Sequence, residues 1–186
     1  MKLNFRKKLD RNIAIVFTIF AIWLILVLIS PYLVEPGKFT DLSGRVFFTD
    51  NSEKIEGINP IAWAVYTAGD FNCHQQLDRS YFLNDNQMPF CARDVGIFAG
   101  LAGGALIALI FAFNMRWIWM VLGLVPMGVD GLAQALTSYD STNSVRLLTG
   151  LLAGGAVIMF ICARITIPED PKSPSDAPIS EESRTD

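Results

Sequence analysis

Four apolar segments constrain this chain more than any other feature. Residues 13–34, 95–113, 117–129 and 147–163 are almost free of charge. A helix crossing a bilayer needs roughly 20 apolar residues. These segments predict four transmembrane helices over 12–34, 95–113, 117–137 and 146–164, an all-α membrane bundle. The first follows Arg6, Lys7, Lys8 and Arg11 and so resembles a leader. Its apolar core is longer than the 7–15 residues of a leader core, and no A-x-A site follows. It is read as an uncleaved anchor.

Charge orients the bundle. Lys2, Arg6, Lys7, Lys8 and Arg11 fill residues 1–11, and such a cluster stays cytoplasmic. Four spans then return the chain to the same side, N-in and C-in, in the cell membrane. Arg116 and Arg164 fall on that side as well, while 35–94 and 138–145 are acid-rich and lie outside. The net charge of -3 argues against nucleic acid as a partner, and no basic patch with interleaved aromatics appears.

Between the spans, Arg45–Phe48 reads as a short strand. Asn59-Pro60 opens a helix, with Asn as cap and Pro at its first position. That helix, over about 60–83, is too short in apolar content to span. It is expected at the outer interface before helix two, delivering Cys73 to the membrane surface. Gly96, Gly100 and Gly104 in the second span, and Gly150 and Gly154 in the fourth, have the spacing that lets helices approach closely. LAGGALI at 101–107 and LAGGAVI at 152–158 are convergent packing or the trace of a duplication. Trp117 and Trp119 mark the inner interface of the third span, and Pro126 predicts a kink in it. Residues 165–186, rich in Pro, Ser, Asp and Glu, predict a disordered cytoplasmic tail.

The chemistry concentrates between Cys73 and Asp94, a stretch holding the only histidine and two of the three cysteines. Cys73, His74, Cys91 and Asp94 offer the mixture of ligands that zinc accepts, although neighbouring side chains such as Cys73 and His74 diverge on a helix. Cys73 and Cys91 alternatively form a disulfide on an oxidising face. Cys162, near the inner end of the fourth span, reads as packing. His74 and Ser80 form no demanded nucleophile–base pair.

Asp130 and Gln134 stand one turn apart, on one helix face. Counting 1.5 Å per residue from Trp117 puts Asp130 about 20 Å into the span, where an unpaired carboxylate is costly. Arg146 and Arg93 are its expected partners. Arg79, Arg93 and Arg146 gather on the outer rim, and arginines with helix N-termini bind anions. A membrane-lipid phosphate is the obvious anion at that depth. Asn143 caps the fourth span or joins that site. In a working site Asp130, Gln134 and His74 are the candidates for moving a proton or orienting a substrate. No H-E-x-x-H, G-x-S-x-G or P-loop motif assigns a reaction.

The strings CHQQLDRSYFL, QMPFCARDVGIFAG, PMGVDGLAQ and SVRLLTGLLAGG together resemble a family of small multi-span membrane proteins designated only as a domain of unknown function. Its motifs run CHQ…RS, CAR[C/D]xGI, DGxxQ and NxxRxxTG, and the resemblance covers about 60–160. It implies a multi-span membrane protein and no particular activity. Asp94 stands where the family pattern has cysteine. The pattern's Cys-plus-CxxC set resembles a metal or dithiol site, and an aspartate there still binds metal but forms no disulfide. The expectation is therefore a polar outer site for an anionic lipid headgroup. Its rivals are a thiol-redox or zinc protein centred on Cys73, His74 and Cys91, and a non-enzymatic subunit or small transporter.

Overall fold

The computed structural model describes residues 3–6 and 8–165. The tail expected over 165–186 lies, beyond Ile165, outside the described residues, as do Lys2 and Lys7. In chain order the elements are β1 (Leu3–Phe5), α1 (Arg11–Ile29), α2 (Ser52–Ile55), α3 (Pro60–Asn72), β2 (Phe82–Leu83), β3 (Asn86–Gln87), α4 (Ala92–Ile110), β4 (Phe111–Phe113), α5 (Trp117–Leu136) and α6 (Asn143–Ile165). A 3-10 turn, Ser30–Leu33, prolongs α1. With that extension α1, α4, α5 and α6 are 23, 19, 20 and 23 residues long and apolar enough to cross a bilayer.

Capping and pairing set the helix ends. Asp10 accepts hydrogen bonds from the N–H groups of Asn12 and Ile13 and starts α1. α4 starts at Ala92, earlier than 95, because Arg93 and Asp94 in its first turn have partners there. It stops at Ile110 because β4 pairs antiparallel with β1, Phe5 opposite Phe111. α6 begins at Asn143, where Thr142 Oγ1 accepts from Val145 N–H. Thr142 thus supplies the capping bond expected of Asn143. α5 runs through Pro126 as one helix.

α4 and α6 form the tightest pair of the bundle. A Cβ added at Gly96 or Gly100 would lie 2.2 or 2.3 Å from the carbonyl oxygens of Leu147 and Leu151. Reciprocally, one at Gly150 or Gly154 would lie 2.3 Å from those of Arg93 and Ile97. Between lipid-solvated helices there is no hydrophobic drive, so backbone approach of this kind carries the association. From the two LAGG strings, Gly104 meets Ile158 and Gly155, and Gly154 meets Ile97. α1 packs on α4, and α5 on α6. Ile13, Ala105, Ala108, Ile158 and Cys162 fill the bundle near its β1–β4 end. Val27, Val65, Met88, Phe90 and Val95 fill the other end, with Trp23, Phe90 and Phe98 stacked edge to face.

Residues 34–91 fold over that second end as a cap with its own core of Val34, Phe39, Leu42, Ile55, Ala62 and Tyr66. Asn59 Oδ1 accepts from Ile61 N–H and Pro60 opens α3, as the sequence indicates. The helix ends at Asn72 instead of running to about 83. Gly69 is pressed against Pro89, a Cβ there falling 2.0 Å from its carbonyl oxygen, and Gln75 turns left-handed at φ 46. A 3-10 turn, Leu77–Arg79, and the β2–β3 hairpin follow. Arg45–Phe48 is a turn, not a strand. Phe47 has φ 68, and Arg45 pairs with Asp50.

Candidate functional site

The cap positions one half of the site through buried amides. Gln75 Nε2 donates to Pro89 O, and Gln87 Nε2 donates to Gln75 O and Ser80 Oγ. Gln87 Oε1 accepts from Leu42 N–H, and Tyr66 Oη donates to Gln87 O. Asn51 Nδ2 donates to Leu42 O and Asp70 Oδ1. This lattice locks the end of α3 against the segment leading into α4. Cys73, directly after α3, then meets Cys91, directly before α4.

The two sulfurs and a carboxylate oxygen of Asp94 all lie within 4.8 Å of one another. Cys91 N–H donates to Cys73 Sγ at 3.4 Å, and the Cys91 thiol donates to Asp94 Oδ2 at 3.2 Å. Both cysteines are free thiols. The Cys73 thiol is pushed well up, first by its side-chain interaction with the Cys91 thiol and then by burial. The same interaction pulls the Cys91 thiol down, against burial and the Asp94 charge. Cys91 is therefore the sulfur that ionises first.

The helices supply the other half. Arg93 Nη2 donates to Asp130 Oδ2, and Gln134 Nε2 donates to the same oxygen at 2.9 Å. Gln134 Oε1 accepts from Arg146 Nη2 at 3.0 Å. Arg146 also reaches Asp140 and Asn143, and Asn143 Nδ2 donates to Ser80 O. One polar chain thus runs from α4 through α5 and α6 into the cap. The Arg146 side chain is 3% exposed, whereas its carboxylate partner Asp140 is 69% exposed.

Cys73, His74, Arg79, Cys91, Arg93, Asp94, Gln134 and Arg146 line one cavity of about 190 Å³. Most of the expected site residues therefore converge; Asn143 stands outside the lining, bonded to Arg146 and Ser80, and two others differ. His74 is exposed and its Nδ1 faces Gly44 O at 3.3 Å, outside the two-sulfur and carboxylate group. Asp130 lies behind Arg93 and Gln134 and lines a separate apolar groove with Pro126, Val129, Ala133, Tyr139, Val145 and Thr149. Among the described residues, Gln76 Oε1, Arg79 Nε, Arg93 Nε and Asp130 Oδ1 are buried without a hydrogen-bond partner. Three of those four residues line the cavity.

Sequence reasoning missed the buried amides Gln75, Gln87, Asn51 and Asn86, together with Asp70. For Gln75, Asn86 and Gln87 the signal was the density of Asn and Gln around 72–87, which reads as loop until burial is known. The arrangement offers an anion the guanidinium N–H groups and offers a cation two sulfurs with a carboxylate.

A family model described as "Predicted membrane protein (DUF2085)" matches residues 73–160, a span that begins at Cys73 and includes the lining residues from Cys73 to Arg146. An uncharacterized protein of Methanocaldococcus jannaschii is 31% identical over 153 residues, covering 79% of this chain and 88% of that protein. An uncharacterized protein of Methanothermobacter thermautotrophicus is 29% identical over 85 residues, 44% of this chain and 77% of the relative. No solved structure matches. The chain belongs to this family of predicted membrane proteins.

Proposed function

We propose that this member of the family binds the anionic headgroup of a membrane lipid at the outer face of the cell membrane. The basic N-terminal segment sets the β1–β4 end inside and the cap outside. The cavity then sits at headgroup depth, where α4 and α6 begin. The observation that supports the reading is the state of Arg146. A guanidinium 3% exposed has its only ion-pair partner among the described residues, Asp140, 69% exposed in water. Buried charge calls for a buried partner, and a phosphate entering the cavity supplies one. Arg79 Nε and Arg93 Nε, buried and without a hydrogen bond, are further donors beside it. Arginine favours phosphate for its fixed fork of donors.

A lipid fits better than free phosphate. The groove of Pro126, Val129, Ala133 and Val145, about 420 Å³, runs along α5 and α6 behind the same polar chain and would take an acyl chain. In this reading Asp130 and Gln134 are positioning residues. Asp130 holds Arg93 from behind, and Gln134, at the cavity wall, holds Arg146 in place.

The full chain, purified in detergent, is heated with phosphatidylglycerol, with phosphatidylcholine and with inorganic phosphate alone. Protection by phosphatidylglycerol, reduced in Arg146→Gln and Arg79→Gln, is the expected result. Protection by phosphate alone to the same degree would transfer the site to a soluble anion. Protection by none of them would leave the arginines as joints between helices, as in a non-enzymatic subunit.

A further inference from the structure

We propose that Cys73, Cys91 and Asp94 form a binding site for a borderline-soft divalent cation of the zinc class, with its fourth position open to the arginine-lined cavity. The ligand atoms of this site are not the guanidinium groups, which enter only as counter-charge, so metal binding is tested apart from the lipid reading.

The first argument is geometric. Tetrahedral zinc with thiolate and carboxylate ligands places its donor atoms ~3.5–3.8 Å apart. Cys91 Sγ and Asp94 Oδ2 are 3.2 Å apart, and both lie within 4.8 Å of Cys73 Sγ. Shifts of a few tenths of an ångström to about one ångström bring all three onto one ion. Side-chain rotation covers that distance without moving a helix.

The second argument is preorganisation. Two ligands come from one helix start, Cys91 immediately before α4 and Asp94 in its first turn. The third comes from the residue after α3, held by Gly69 against Pro89 and by the Gln75–Gln87 amides. The Cys91 N–H already points at Cys73 Sγ. A backbone donor aimed at that sulfur supports the thiolate once a cation has displaced its proton, which is the outer-shell support that metal sites use.

The third argument is charge. Two thiolates, one carboxylate and a divalent ion leave a net charge of about -1. Arg79, Arg93 and Arg146 line the same cavity and offset it. Two sulfur ligands select zinc, cobalt or cadmium over magnesium and calcium. Three protein ligands with an open fourth position are the pattern of zinc sites that bind a further molecule.

The test uses the full chain in detergent, isolated without reductant and stripped of metal, with no lipid added. Cys73 and Cys91 are both expected to react as thiols on denaturation, and cobalt should give one equivalent with sulfur-to-metal charge-transfer absorption that zinc displaces. Cys73→Ser with Cys91→Ser should abolish that absorption. Asp94→Asn should weaken zinc at least about tenfold, and Asp94→Cys should tighten it and strengthen the band, because a third thiolate suits a soft ion. Asp94 is half-buried, so its variants report even where the double serine variant fails to fold. A disulfide between Cys73 and Cys91, seen by peptide mapping of the unreduced chain, overturns the proposal. So does absence of cobalt binding in the reduced protein, or zinc binding indifferent to all of these changes. Loss of metal binding with phospholipid protection intact would remove this site alone.

Discussion

Arg93 and Asp130 are joined across two helices, the guanidinium in the first turn of α4 and the carboxylate on α5. Asp130 is the one buried residue of α5 among those described. The helix that is otherwise most exposed is thus fixed to the bundle's interior by a charge. Arg146, the other partner indicated by the sequence, reaches Asp130 only through Gln134.

Asp130→Asn should therefore lower thermal stability. Removing one partner of a buried pair costs roughly 3–5 kcal/mol. Arg93 is 27% exposed, so solvent screening reduces this to about 2 kcal/mol. Adding Arg93→Gln should recover part of the loss, because no guanidinium is left unpaired. Melting curves of the two single variants and the double variant in detergent decide it. Strictly additive costs would refute the coupling.

The α4–α6 contact predicts a contrast between glycines. Gly96→Ala and Gly150→Ala must force a Cβ into a carbonyl 2.2 or 2.3 Å away. Each should destabilise by about 1–3 kcal/mol as overpacking. Gly103 and Gly128 have nothing within 4 Å of the added atom, and alanine there should be close to neutral. Equal melting temperatures in all four variants would dissolve the interdigitated packing.

Topology is checked by labelling whole cells. A cysteine introduced at Ser52, exposed on the cap, should react with an impermeant maleimide above the background of the parent chain. One introduced at Ser180 should react only after lysis. The opposite pattern would turn the bundle over and place the arginine cavity inside.

Thiol reactivity follows the direction of each shift. Cys91 is pulled down chiefly by the Cys73 hydrogen bond, while burial and Asp94 push it up. In the metal-free protein Cys91 should alkylate at lower pH than Cys73. Cys73→Ala removes the largest downward cause and leaves burial and the Asp94 charge opposed only by the Asp94 backbone hydrogen bond. The pH profile of Cys91 alkylation should then move to higher pH. Movement to lower pH would reverse the assignment of the ionising sulfur. Metal uptake should strengthen about tenfold per pH unit for each thiol proton released.

Gln87→Leu probes the cap. The change strips partners from Leu42 N–H, Gln75 O and Ser80 Oγ. A buried group left unsatisfied costs about 1–3 kcal/mol, so the loss should reach roughly 3 kcal/mol or more. Impermeant thiol reagents should also gain faster access to Cys73, now 5% exposed. Unchanged access would mean that the lattice does not hold the cysteines.

The spans were legible in the sequence because bilayer thickness dictates about 20 apolar residues. The α3 start was legible because Asn59-Pro60 is a local signal. The location of the site was legible too, since Cys, His and Arg stand out in an apolar chain. The end of α3 was not, because the chain turns extended at Cys73 and left-handed at Gln75 where Gly69 seats the helix against Pro89, twenty residues away in sequence. Nor was the choice between Arg93 and Arg146 for Asp130, which depends on how far α4 and α6 slide past each other at Gly96 and Gly150. Burial of Gln75 and Gln87 was equally hidden, since an amide in a loop and an amide in a core are the same letter. Spacing along the chain carried the local decisions. The meeting of Cys73, Cys91 and Asp94 required the cap to close on the bundle, and only the tertiary structure decided that.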